Sequence, residues 1–160
     1  MGTSSQVALF DEAFFGFCDC LRSLPDPFFL QPMPGWSPRD VAAHLVGWNY
    51  RMIHACQAIL RGQAPVYYAD AASDYASLNA ASVAQFASRS KSEMLEQLAA
   101  SRQGFRDYLG TLDPGEWNAD HRVVHHRGGP ATVGRIVEAL TRDYRQHTRE
   151  IDEWLARKDG

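Results

Sequence analysis

Asp143 and His147 stand four residues apart in a stretch of helical periodicity, so their side chains share one face, a turn apart. Leu140, Tyr144, Ile151 and Trp154 flank them, which turns the pair toward the protein interior. An interior carboxylate is expensive unless it has a partner. A bound cation would supply one, and facing helices of bundles are places where inward side chains build metal sites. His44 offers a third donor, because its helical neighbours Val41, Leu45 and Trp48 form another apolar stripe. Two imidazoles and one carboxylate make three protein ligands and leave positions open for water or substrate, the arrangement of a catalytic rather than a structural site. The spacing leaves an alternative open: Asp143 and His147 pair with each other, and His44 is an unrelated core histidine.

Four helical stretches, separated by Pro- and Gly-rich breaks, have to position these groups. The first runs from about Ser4 to Ser23, with Phe10, Phe14, Phe17, Leu21 and Leu24 in steps of three and four, and stops at Pro25-Asp26-Pro27. Ser37, Pro38 and Asp40 make the N-cap, first position and capping-box acid of a second helix, which reaches Gly62. Gln63 to Tyr75 reads as a crossover loop. A third helical region, broken near Ser88, restarts at a capping box formed by Ser90 and Glu93 and ends at Asp113-Pro114-Gly115. A polar loop from Glu116 to Pro130 holds Val123-Val124, with the option of a short strand or hairpin. The fourth helix is expected from about Ala131 to Ala156. The fold class predicted is all-α: a four-helix bundle with a long crossover between helices 2 and 3, formed as one domain over 1–160.

The 160 residues are 45% hydrophobic and 22% charged, which excludes a disordered chain, and a net charge of -3 gives no reason to expect nucleic acid or an anionic membrane as partner. No apolar run approaches the ~20 residues of a membrane span. The first residues lack a basic segment followed by an apolar core, and Gln6 stands where a myristoylation signal wants Ser or Thr. Three cysteines, Cys18, Cys20 and Cys56, make no disulfide framework and suit a reducing, cytoplasmic setting.

The segment Trp36-Ser37-Pro38-Arg39-Asp40-Val41-Ala42-Ala43-His44-Leu45-Val46-Gly47-Trp48-Asn49 resembles the second-helix signature of the DinB-like superfamily, which includes the N-terminal domain of mycothiol-dependent maleylpyruvate isomerases. Asp143-Tyr144-Arg145-Gln146-His147, in a helix opening after Ala131-Thr132-Val133-Gly134, is similar to its fourth-helix signature. The resemblance implies a divalent metal held by His44, Asp143 and His147. Zinc is the first choice, and nickel and iron(II) also suit such a donor set. It further implies a metal-bound thiolate or water as nucleophile, so a transferase or isomerase using a low-molecular-weight thiol, or a hydrolase. Many members have histidine at the position of Asp143 and the isomerase branch has glutamate; aspartate keeps the acid but shortens it.

His125 and His126, in the loop entering the fourth helix, are candidate catalytic acids or bases, set against the plainer reading of a solvated histidine-rich loop. His54, almost three turns past His44, is expected in the core or an interface. Arg51, Arg122, Arg127 and Arg135 are candidates to clamp an anionic substrate, and Trp48, Tyr67, Tyr68 and Trp117 to wall a pocket. The expected partner is a small-molecule substrate, and exposed helical faces allow a homodimer. Two other readings remain: a small-molecule-binding or self-resistance protein without turnover, and a dimer module in which the polar triad sets packing.

Overall fold

A computed structural model describes residues 2–159, and among them every regular element is helical. In chain order these are α1 (Thr3–Ser23), the single turn α2 (Asp26–Phe29), α3 (Pro38–Leu60), a 3-10 run (Val66–Ser73), α4 (Ala76–Gln85), α5 (Lys91–Gly110), a 3-10 turn (Pro114–Glu116) and α6 (Val133–Asp159). The four long helices close a ring: α1 lies on α6, α6 on α3, α3 on α5, and α5 returns to α1. The expected all-α bundle with a long second-to-third crossover is what the chain forms.

Local signals set the element ends. The Ser37 hydroxyl accepts from the Asp40 amide at 3.2 Å while the Asp40 carboxylate accepts from the Ser37 amide at 3.1 Å, and Ser90 and Glu93 repeat the reciprocal bonds at 3.1 and 3.2 Å. At the start of α6, the Thr132 hydroxyl accepts from the Arg135 amide at 3.1 Å. Three boundaries differ from the sequence reading. Pro27 sits inside the first turn of α2, where a missing amide costs nothing, so the break after α1 still makes one helical turn. The crossover, expected as a loop, is largely 3-10 over Val66–Ser73. Val123-Val124 forms no strand; Val124 makes one isolated antiparallel bridge with Pro130.

The apolar stripes meet at the axis of the bundle. Phe10, Phe14 and Phe17 of α1 present ring edges to Tyr144 of α6 at centroid distances of 6.0, 5.7 and 5.7 Å. Trp117, a candidate for a pocket wall, is instead buried in the core and donates its indole N–H to Gln6. Cys18 and Cys56 are buried, and burial raises their thiols to about 11 and about 12, so both are inert apolar packing groups. His54, expected in the core or an interface, is exposed on α3. No helix among the described residues is long and apolar enough to cross a membrane.

One glycine fixes how the crossover docks. A Cβ at Gly47 of α3 would collide with the Ser82 hydroxyl of α4, so only glycine lets α4 lie this close to α3. That contact carries Asn79 of α4 to the site described below.

The core contains one polar tie. Asn49 of α3 is fully buried; its amide donates to Ser101 of α5 at 2.9 Å and its carbonyl accepts from Tyr144 of α6 at 3.0 Å. Ser101 passes its own proton to the Leu98 carbonyl at 3.1 Å. Removing one member strands the others in a low-dielectric interior. Asn49→Ala should therefore cost about 2–3 kcal/mol in urea unfolding. Tyr144→Phe should cost about 1 kcal/mol, and the double variant clearly less than the two together; strict additivity would show that the three groups do not act as one network.

Candidate metal centre

α3 and α6 lie side by side, and their apolar stripes turn His44 from one and Asp143 and His147 from the other into the same space. His44 is the seventh residue of α3, 7% exposed; Asp143 and His147 are half-buried. The carboxylate of Asp143 stands between the two rings. One oxygen lies 3.0 Å from His44 Nε2 and the other 3.2 Å from His147 Nε2. One donor atom from each of the three residues falls within 4.8 Å of the others, near enough for all three to approach one cation. The ring centroids of His44 and His147 are 5.1 Å apart, and Trp36 covers His44 at 5.0 Å. A cavity of about 280 Å³ opens beside His147, walled by Met33, Pro34 and Trp36 on one side and Glu150, Glu153 and Arg157 of α6 on the other.

The outer nitrogens of both rings are committed. The Trp48 indole N–H, which can only donate, points at Asn79 Oδ1 from 2.7 Å, so that atom is the amide oxygen. His44 Nδ1 lies 2.9 Å from the same oxygen and must therefore carry a proton. His147 Nδ1 lies 3.0 Å from a Glu150 oxygen, an acceptor, and is a donor for the same reason. Gln146 steadies Glu150 with a bond of 2.9 Å. In the neutral rings each Nε2 then aims a lone pair at the Asp143 carboxylate. Only a second proton on each ring, or a cation between them, removes that repulsion. The electrostatics agree. Burial pushes Asp143 toward its neutral form, but hydrogen bonds from His147 and His44 overcome it and hold the carboxyl far below its usual range. Burial alone would depress His147; Asp143, then Glu150, outweigh it and raise the imidazole.

His125 and His126 do not join this cluster. They stack on each other at 4.3 Å in the loop before α6, and Tyr75 and Trp48 stand between His126 and His44, with centroid separations of 6.0, 5.2 and 6.4 Å along that chain of rings. The Tyr75 hydroxyl pairs with His126 Nε2 at 3.0 Å. Burial and the neighbouring arginines, chiefly Arg135, push His125 down to about 4, and burial with Arg127 lowers His126 as well, so both rings are neutral at pH 7. Tyr75 reaches this position from a left-handed backbone, φ 60, that follows Asp74 at φ 52, a costly turn for non-glycine residues. The arginines proposed as an anion clamp do not converge on the triad: Arg51 is bonded to Ser82 and Leu78, and Arg135 to the carbonyls of Gly128 and Pro130.

Sequence reasoning missed Asn79, Glu150 and Trp36. Glu150 was legible in principle, three residues after His147 and so on the same face of α6. Asn79 carried no signal, since nothing in the sequence states that the crossover returns over His44.

Residues 30–152 match the family model described as the mycothiol maleylpyruvate isomerase N-terminal domain. No curated protein matches the chain in sequence. Among solved structures, the fold is similar to one described as Sibling Lethal Factor Precursor - DfsB, with a TM-score of 0.77 and 15% identity over 99% of this chain and 97% of that one. It is also similar to an uncharacterised protein from Escherichia coli UTI89, with a TM-score of 0.72 and 13% identity over 98% and 94%. At such identities both speak for the fold alone. The matched segment takes in well over half of the chain and all three residues of the triad, and this protein belongs to the mycothiol maleylpyruvate isomerase N-terminal domain family.

Proposed function

We propose that this protein holds one divalent cation, zinc in the first instance, through His44 Nε2, His147 Nε2 and the Asp143 carboxylate. On this reading it is a metal-dependent enzyme acting on a small molecule: a thiol-dependent transferase or isomerase, or a hydrolase. The observation that carries the reading is the pair of Nε2 atoms aimed at one carboxylate while both Nδ1 atoms are spent on outer partners. Two imidazole nitrogens and a carboxylate, with one donor atom of each residue within 4.8 Å of the others, are a donor set of the kind that holds zinc. The donor set therefore fits the ion. A bound divalent cation would supply Lewis acidity, lowering the pKa of a coordinated thiol or water.

The chain's own residues set the rest. Asn79 and Glu150 fix the tautomer and rotation of the two rings and make them better donors. Trp36 covers the His44 side, leaving the cavity beside His147 as the approach for a substrate. His125 and His126 stand behind Tyr75 and Trp48 and outside the cavity beside His147, so in this proposal they take no part as ligands or as proton acceptors at the ion.

Protein purified without a histidine tag should carry about one divalent ion per chain by elemental mass spectrometry. The ion should be lost from His44→Ala, Asp143→Ala and His147→Ala. Absence of binding after loading with zinc, nickel and iron(II) would sink the metal reading and favour ligand binding without turnover.

The pH dependence follows from the same contacts. Metal must compete with protons for the imidazole Nε2 atoms, and His147 holds its proton above the ordinary histidine range. Affinity should be highest above that range and fall on acidification, approaching about a hundredfold per pH unit, two protons per ion, once both rings are charged. A pH-independent dissociation constant between pH 5 and 8 would contradict ligation by the histidines.

His126→Asn, which leaves the ligand set intact, should keep metal content unchanged and alter turnover less than about threefold in thiol-transfer or hydrolysis screens. A loss of about tenfold or more with the metal retained would overturn that placement and give His126 a part in the chemistry.

A further inference from the structure

Two residues singled out in the sequence, Arg51 and Tyr67, meet away from the triad. They line a cavity of about 470 Å³ between the C-terminal half of α3 and the start of the crossover, a volume within the ~300–1,000 Å³ of small-molecule sites. Arg51, Ala55, Ala58 and Arg61 follow one another at steps of four and three, with His54 beside Ala55, so one face of α3 forms the floor. The two alanines hollow that floor, while Pro65 and Tyr67 wall it from the crossover. Val66, 90% exposed, stands at the lip as an apolar side chain with nothing covering it.

The charge in this hollow is one-sided. Arg51 is half-buried; its guanidinium donates to the Leu78 carbonyl and the Ser82 hydroxyl, both at 3.0 Å, and lies 5.4 Å over the Trp48 ring. Those partners orient the group without neutralising it. Among the described residues no carboxylate comes within ion-pair distance of Arg51, His54 or Arg61. Asp70 is the one acid in the wall, against two arginines. Burial already lowers the Arg51 pKa, the mark of a cation stripped of part of its water. A partly desolvated guanidinium without a counter-ion, at the end of an apolar hollow, is complementary to a molecule that has an anionic head and an apolar body. Tyr67 packs on Trp48 at 5.1 Å and Trp48 on His44 at 6.4 Å, so an aromatic wall separates this hollow from the triad.

We propose that this cavity is a second binding site, which takes a small amphipathic organic anion with its head on Arg51 and Arg61 and its body against Ala55, Ala58, Pro65 and Tyr67. The site stands on its own geometry and does not need the triad to hold metal. The test uses three probes that share one body: 4-phenylbutyrate, 4-phenylbutan-1-ol and 4-phenylbutylamine, titrated into the full chain and followed by amide and indole NMR spectra. The carboxylate should bind saturably at one per chain, move amides between 51 and 67 together with the Trp48 indole N–H, and bind about tenfold or more tighter than the alcohol or the amine. Arg61→Gln should weaken it severalfold, and Ala58→Leu, which fills the hollow with a compatible apolar side chain, should abolish binding while the rest of the spectrum is retained. Equal binding of the three probes, shifts centred on His44 and His147 instead, or no saturable binding at millimolar concentration would each overturn the proposal.

Discussion

A carboxylate on the core-facing side of a helix has to be met by positive charge or by hydrogen-bond donors, and Asp143 imposes that demand on every neighbour. The rotation of α6 is not free to relieve it. Tyr144 must stay packed on the phenylalanines of α1, with Leu140 and Ile151 buried, and the same rotation holds Asp143 and His147 toward α3. With α6 fixed by its apolar stripe, the only helix that can answer the carboxylate's far oxygen is α3, and it does so with His44.

α3 in turn can present His44 in only one orientation, because its outer nitrogen is tied to the crossover. Asn79 takes both the His44 and the Trp48 protons on one oxygen, and Asp143 holds the other side of His44, so the ring cannot flip without breaking its contacts to Asn79 and Asp143. Asn79 comes within reach because Gly47 lets α4 settle onto α3. The long second-to-third connection is therefore part of the site rather than a spacer. Trp48, Tyr67 and Tyr75 pack the crossover onto α3 by ring edges, which is the packing that keeps Asn79 in place.

The sequence was legible where one rule dominates. The 3.6-residue stripe of α6, the two capping boxes and the shared face of Asp143 and His147 are local facts, and each appears in the fold as the spacing implies. The approach of His44 to Asp143, 99 residues away, was legible through the resemblance of two short segments to a known family and not through periodicity. Asn79 was invisible because its role depends on a docking contact across α3 and α4. Arg51 was read as the right kind of group in the wrong place: a guanidinium suited to an anion, but turned by its bonds to Leu78 and Ser82 toward a different hollow. His54, ten residues and about 2.8 turns past His44, comes out roughly 80° round the helix from it and so lies outside the core.

The aspartate at position 143, shorter than the glutamate of the isomerase branch, also makes electrostatic sense within this cluster. Asp143 and Glu150 bring two negative charges to the pair of imidazoles. Two doubly protonated rings balance them, and so does one divalent cation with both rings neutral. Exchanging two protons for one such ion therefore leaves the net charge of the half-buried site unchanged. That removes the usual objection to placing a dication in a medium of low polarity. A histidine at 143 would leave the bound site with an excess positive charge; a short carboxylate centred between the rings keeps it neutral in both forms.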